Sequence, residues 1–170
     1  FFMMNYFRYI LLLISIPCLS QWTKVEIPST ASFRALKSRG RQIWASGTQG
    51  TVGHSTDAGK TWTFQQIPHA EKLDFRDLAI INDKEIMLMS AGLSDEGKAI
   101  IFRTMDAGKK WIEIFKKIEP GYFFDCLHWD TANKRAWLLS DPIKQRLPLF
   151  SYKKNSFVEL DASSTSELQT

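Results

Sequence analysis

Short apolar runs separated by polar turns fill the chain from residue 31 to about residue 160. One kind of run reads Phe33-Arg34-Ala35-Leu36, then Phe75-Arg76-Asp77-Leu78, then Phe124-Asp125-Cys126-Leu127. A second kind reads Ile43-Trp44-Ala45-Ser46-Gly47, then Met87-Leu88-Met89-Ser90-Ala91-Gly92, then Ala136-Trp137-Leu138-Leu139-Ser140-Asp141. Polar stretches at 37–42, 82–84 and 131–135 lie between the two kinds. Strand-length apolar segments bounded by turn residues predict β-strands. Helical periodicity is absent outside the N-terminal segment. The pattern therefore predicts an all-β chain.

A third feature joins the strands in pairs. Ser55-Thr56-Asp57-Ala58-Gly59-Lys60-Thr61-Trp62 recurs as Thr104-Met105-Asp106-Ala107-Gly108-Lys109-Lys110-Trp111, 49 residues later. The hydroxyl, Asp, Gly and Trp keep their offsets. Strand-like residues flank both copies, which predicts two hairpins. Asp57 and Asp106 can accept hydrogen bonds from turn amides just downstream. Gly59 and Gly108 supply a positive φ without a Cβ clash. Trp62 and Trp111 offer rings to cover the turn, and Ser55 and Thr104 offer hydroxyls to bond across it. All eight residues are accounted for by holding a hairpin together.

This Ser/Thr-x-Asp-x-Gly-x-x-Trp pattern resembles the Asp box of the bacterial neuraminidase (BNR) repeat, in which the box links the two outer strands of a propeller blade. The order of strand, turn, strand, loop, strand, box, strand begins three times, with the Phe anchors at 33, 75 and 124. A four-stranded unit of about 40–50 residues is blade-sized. The expected fold is a β-propeller with blades at roughly 31–72, 73–121 and 122–161, preceded by an entry strand around 22–27. In the third unit Ser151 and Asn155 fall where the hydroxyl and Gly belong, Lys153 replaces the Asp and Phe157 stands in for the Trp. That unit reads as a hairpin with a decayed box. Closed propellers need at least ~4 blades, so about three blades predict the N-terminal part of a larger ring. Residues 161–170 are polar and lack a strand pattern.

Composition bounds the rest. A content of 44% hydrophobic and 13% aromatic residues is enough for a folded core. Arg8, the apolar run Tyr9-Ile10-Leu11-Leu12-Leu13-Ile14-Ser15-Ile16, Pro17 and the small Ser20 follow the plan of a secretory signal peptide over residues 1–20. Its apolar run is too short to span a bilayer. Export to an extracytoplasmic location follows, with no membrane span once the signal is removed. An uncleaved anchor and a lipid on Cys18 are the competing readings. Phe1-Phe2 before Met3-Met4 places the initiator at Met3 or Met4. The chain carries 22 Lys+Arg against 18 Asp+Glu, and loss of residues 1–20 removes Arg8 alone, leaving a net +3. So mild a charge, with no basic block, does not predict nucleic-acid binding. Cys126 then has no partner for a disulfide, and its neighbours Phe124, Leu127 and Trp129 predict a buried thiol.

Within the repeat families, Ala31-Ser32-Phe33-Arg34-Ala35-Leu36, Ile43 through Gly53, Leu73-Asp74-Phe75-Arg76-Asp77-Leu78 and Ser140-Asp141-Pro142 resemble exported bacterial proteins related to the photosystem II stability/assembly factor. The resemblance covers about residues 22–160. It implies a seven-bladed propeller that binds a protein partner, with an arginine-rich patch contributing. Arg34 and Arg76 match that patch at equivalent places in two units, whereas the third unit has Asp125. The candidate binding surface is the inner strand ends and channel mouth: Arg34, Arg76, Asp77, Asp125 and Asp141.

Asp boxes also occur in sialidases, so the alternative is a glycoside hydrolase whose catalytic residues lie partly beyond residue 170. That chemistry needs an arginine cluster, a Tyr nucleophile with a Glu partner and an acid/base Asp. Sialidases also carry an Arg-Ile-Pro motif, where this chain has Glu26-Ile27-Pro28. Tyr122 and Glu119 are close in sequence. No catalytic residue is assigned, and the scaffold reading is preferred. No Gly-x-Gly-x-x-Gly or Cys-x-x-Cys is present. His54, His69 and His128 share no ligand spacing. No cofactor and no metal are expected.

Overall fold

The computed structural model describes residues 24–153 and 155–160. The segment 1–20 read as a signal peptide, with Cys18, lies outside the described residues, as does 161–170. Twelve strands occur in chain order among the described residues. They are β1 (Phe33–Arg39), β2 (Gln42–Gly47), β3 (Thr51–Ser55), β4 (Thr63–Gln66), β5 (Asp74–Ile80), β6 (Ile86–Ala91), β7 (Ile100–Thr104), β8 (Ile112–Lys116), β9 (Phe124–Asp130), β10 (Arg135–Ser140), β11 (Leu149–Lys153) and β12 (Ser156–Glu159). Each successive group of four forms one antiparallel meander, giving three sheets in sequence order. Short connections favour this arrangement, because antiparallel neighbours need only a turn between them.

The sheets stack face to face over two apolar layers. Trp44 and Val52 of the first sheet meet Phe75, Leu78, Ile86, Leu88 and Ile100 of the second. The opposite face of the second sheet, with Ala79, Met87, Met89 and Ile101, meets Phe124, Leu127, Ala136, Leu138 and Phe150 of the third. Successive residues of a strand point to opposite faces. All six residues of β6 are buried, because a sheet stands against each of its faces. This is why Ile86-Met87-Leu88-Met89 reads as an unbroken apolar run rather than an alternating one. In β10, which has a covering sheet on one face only, buried and half-buried positions alternate.

Three sequence expectations change. Residues 24–27, expected in an entry strand, are not in a strand. Val25 and Ile27 instead line an apolar cleft of about 310 Å³ on the open face of the first sheet, with Phe33, Leu36, Trp62 and Phe64. Lys37, expected in a polar turn, lies inside β1, which runs to Arg39 before turning. The third unit has a hairpin but no box-like turn. Lys153 pairs with Ser156, so only two residues separate β11 from β12, and Asn155 takes φ 67°. Ser151 lies within the strand opposite Trp137, not at its end. Its hydroxyl is buried without a hydrogen-bond partner, whereas Ser55 and Thr104 are both bonded. Pairing fixes the turn length here, and sequence similarity cannot reveal pairing.

The interface between the first two sheets carries a pH dependence. The His54 ring stacks on Trp44 at 3.7 Å and 12°, and its Nε2 is buried without a partner. Desolvation lowers its pKa below the ordinary value. The unfolded chain takes up this proton near pH ~6.5, and the folded chain only at lower pH. Stability is therefore full above that value and declines as the pH falls from it through the folded-state pKa. Thermal unfolding midpoints are expected to drop between pH 7.5 and pH 5.5, and His54→Phe is expected to flatten that part of the profile. An equal drop in both proteins would contradict the assignment.

Candidate functional site

The two Asp/Gly turns repeat atom for atom in most of their bonds. Ser55 Oγ donates to Asp57 Oδ1 at 2.9 Å and accepts from the Gly59 amide at 2.9 Å. Thr104 Oγ1 does the same with Asp106 at 2.8 Å and Gly108 at 2.9 Å. Asp57 accepts the Thr61 amide at 2.9 Å and its hydroxyl at 2.7 Å. These bonds hold the Asp57 carboxyl down to about 2. The Lys110 amide and then the Thr104 hydroxyl lower Asp106 in the same way. Ala58 N bonds Arg41 O at 2.8 Å, and Ala107 N bonds Lys84 O at 2.9 Å. Each turn is thereby fixed to the β1–β2 or β5–β6 turn of its own sheet. The copies differ at Trp. Trp62 Nε1 donates to Gly59 O at 3.0 Å, while Trp111 Nε1 is buried without a partner and its ring meets Trp44 edge-on at 6.1 Å. Both carboxylates are engaged by their own turns, as a hairpin staple requires.

The charged candidates lie at the other end of the sheets. In antiparallel order, the starts of β1, β5 and β9 share one edge, and the Asp/Gly turns lie at the opposite one. β1 runs beside β5, and β5 beside β9. Each of these inner strands has a register shift near its start: between Phe33 and Ala35, between Phe75 and Asp77, and between Phe124 and Cys126. A bulge inserts one residue and re-aims its side chain. The three inserted residues are Arg34, Arg76 and Asp125. The repeat position shared by these charges is thus a backbone irregularity, and sheet alternation does not bury it.

Their partners differ. Arg34 reaches Asp74, the first residue of β5, through Nε at 3.3 Å. The Arg76 guanidinium lies 5.3 Å from the centre of the Phe123 ring. Asp125 and Asp141 are exposed. The Asp141 amide bonds Phe123 O at 2.8 Å, which places Asp141 beside the same aromatic. Asp77 does something else. Its Oδ1 pairs with Lys37 Nζ at 2.6 Å and accepts the Leu78 amide at 2.8 Å, and its Oδ2 accepts the Leu127 amide at 2.9 Å. Lys37 Nζ also reaches Leu127 O at 3.4 Å. One carboxylate thereby joins all three inner strands. We place Asp77 and Lys37 as a clamp that positions the bulge row, with Asp77 half-buried and already bonded.

Sequence reasoning missed Lys37, Asp74 and Phe123. Asp74 and Phe123 flank the matched Phe-x-x-Leu segments, and their neighbourhood was a usable signal. Lys37 gave none, since its partner is 40 residues away. Cys126, expected to be buried, is exposed. Partial burial, then the Asp77 and Asp125 carboxylates, push its thiol up, with Lys37 opposing. A raised pKa leaves little thiolate for chemistry. Tyr122 does not pair with Glu119. Its hydroxyl donates to Glu159 Oε2 at 2.8 Å, Lys117 Nζ sits 4.4 Å from its ring centre, and Arg146 pairs with Glu159. That network ties the exit of the second sheet to the third.

No family model matches the chain, and no curated protein does. Among solved structures, one titled YCF48 bound to D1 peptide superposes with TM-score 0.64 at 16% identity, covering 80% of this chain and 41% of that one. YCF48 from Cyanidioschyzon merolae gives TM-score 0.64 at 16% identity over 88% of this chain and 46% of its own. The fold is that of a β-propeller. The three sheets are blades, β1, β5 and β9 are their inner strands, and the bulge row lies where those strands begin. This chain spans less than half the length of either propeller.

Proposed function

We propose that this chain is a non-catalytic propeller scaffold that binds a segment of a partner protein across the inner-strand ends. The observation that carries the reading is the bulge row. Three blades share one backbone irregularity at one position, and each places a charged side chain there: Arg34, Arg76 and Asp125. Asp141 extends the row beside Phe123, and Asp77 with Lys37 holds its strands together. A peptide complex is known for a protein of this fold, YCF48 bound to D1 peptide. The signal-peptide plan of residues 1–20 supports an extracytoplasmic setting. No cofactor is invoked, since positioned charges and main-chain groups suffice for peptide capture.

The test is charge reversal. Arg34→Glu with Arg76→Glu is expected to cut capture of the partner by at least about tenfold, with the thermal midpoint within a degree or two of the unaltered protein. The partner is first identified by mass spectrometry of material retained by the unaltered chain, then measured as a purified protein against both forms. Retention unchanged by the double reversal would sink the reading.

A further inference from the structure

The bulge row changes sign along its length. On the first two blades the inserted residues are Arg34 and Arg76, and on the third Asp125, with Asp141 next to it. Arg34 meets Asp74 through Nε, and its side chain remains 44% exposed. Arg76 has the Phe123 ring beneath it and, among the described residues, no ion pair. Asp77 does not neutralise it, because that carboxylate is taken up by Lys37 and two backbone amides. Asp125 and Asp141 have no side-chain hydrogen bond and no ion pair among the described residues. Exposed charges of opposite sign therefore sit along one edge, with Arg34, shared with Asp74, and Arg76, against the Phe123 ring, on the first two blades and Asp125 and Asp141 on the third.

Resting on the bulge row as the partner-binding surface, we infer that the partner segment is an extended peptide of mixed charge, acidic over the first two blades and basic over the third. A uniformly acidic peptide gains at Arg34 and Arg76 but is repelled at Asp125 and Asp141. A uniformly basic peptide has the reverse difficulty. Neighbouring inner strands approach to within 8 Å between Cα atoms. An extended chain rises ~3.3 Å per residue, so an acidic side chain facing Arg76 and a basic one facing Asp125 are about two residues apart, and about five if Arg34 is the contact. Phe123 suits an apolar or aromatic residue between them.

The experiment selects random ten-residue peptides on the whole chain, then measures binding of the enriched sequences by fluorescence anisotropy at low and high salt. The expected peptides carry Asp or Glu and Lys or Arg about two to five residues apart, and lose affinity as salt rises. Asp125→Lys with Asp141→Lys is expected to weaken them at least about tenfold and to shift a fresh selection to uniformly acidic peptides. Arg34→Glu with Arg76→Glu is expected to shift it to uniformly basic ones. A gained preference requires a folded variant, so misfolding does not imitate it. Uniformly acidic peptides enriched on the unaltered chain and lost on reversing the arginines would overturn the polarity and leave the bulge site standing. Peptides indifferent to both double variants would overturn the site as well.

Discussion

Phe75→Ala is expected to lower the unfolding free energy by about 3–5 kcal/mol, the usual range for truncating a buried phenylalanine. Phe75 is 0% exposed and lies between the first two blades, with Phe102 edge-on at 5.6 Å. Its strand is clamped on both sides through Asp77, so the neighbours have little freedom to collapse into the cavity. Domains are stable by only about 5–15 kcal/mol, so a large share of the total would be lost. Urea unfolding followed by tryptophan fluorescence gives the value, and an unchanged m shows that the same surface is exposed. Leu36→Ala is the control. Leu36 holds the repeat position of Leu78, which is 0% exposed, but is itself 68% exposed. It is expected to change stability by less than about 0.5 kcal/mol. A loss below about 1 kcal/mol for Phe75→Ala would mean that the two blades do not pack as described.

Gly108→Ala is expected to cost about 2–4 kcal/mol, combining a positive-φ penalty of about 1–2 with overpacking. Its φ is 86°, and an added Cβ would lie 2.8 Å from Trp44 Cη2. Trp44 is fully buried and stacked on His54, so the ring cannot withdraw. Gln65 Nε2, which donates to Gly108 O at 2.9 Å, would be crowded as well. Gly59 is the built-in comparison. It has the same φ of 86°, yet its nearest neighbour is Ile43 Cδ1 at 3.4 Å. Gly59→Ala should carry the backbone penalty of about 1–2 kcal/mol with little more. Equal losses for the two variants would show that the blade contact at Gly108 contributes nothing. The difference between them measures inter-blade packing with the turn chemistry held constant.

Much of the fold was legible because its causes are local. A turn that needs a positive φ calls for Gly59 and Gly108, and a carboxylate two residues before the glycine can saturate the turn amides whatever the rest of the chain does. Strand-length apolar runs between polar turns gave β1, β2, β5, β6, β9 and β10 with small errors at their ends. The third hairpin was misread for a physical reason. Ser151 and Asn155 imitate the motif by spacing, but the Lys153–Ser156 pairing leaves room for only a two-residue connection. Cys126 was misread because the bulge at Asp125 breaks the strand's alternation, putting Phe124 and Leu127 on the buried face and Cys126 on the exposed one. For the candidate site, the charges were visible and their roles were not. Arg76 and Asp77 are adjacent in sequence, yet the bulge turns one outward to solvent and lets the other bond three strands at once.

The sequence by itself determined that the chain is all-β, repeated on a scale of 40–50 residues, and stapled by two Asp/Gly turns. It also determined which charges recur at one repeat position. These follow from side-chain periodicity and from hydrogen bonds spanning a few residues, so neighbours in sequence suffice. Only the tertiary structure decided that the recurring position is a bulge, that Lys37, Asp77 and the Leu127 amide form one clamp, and that Trp44 lies beneath Gly108. Those contacts join residues 40 to 90 positions apart. They exist only once the sheets have stacked, because face-to-face packing brings together side chains that no local pattern relates.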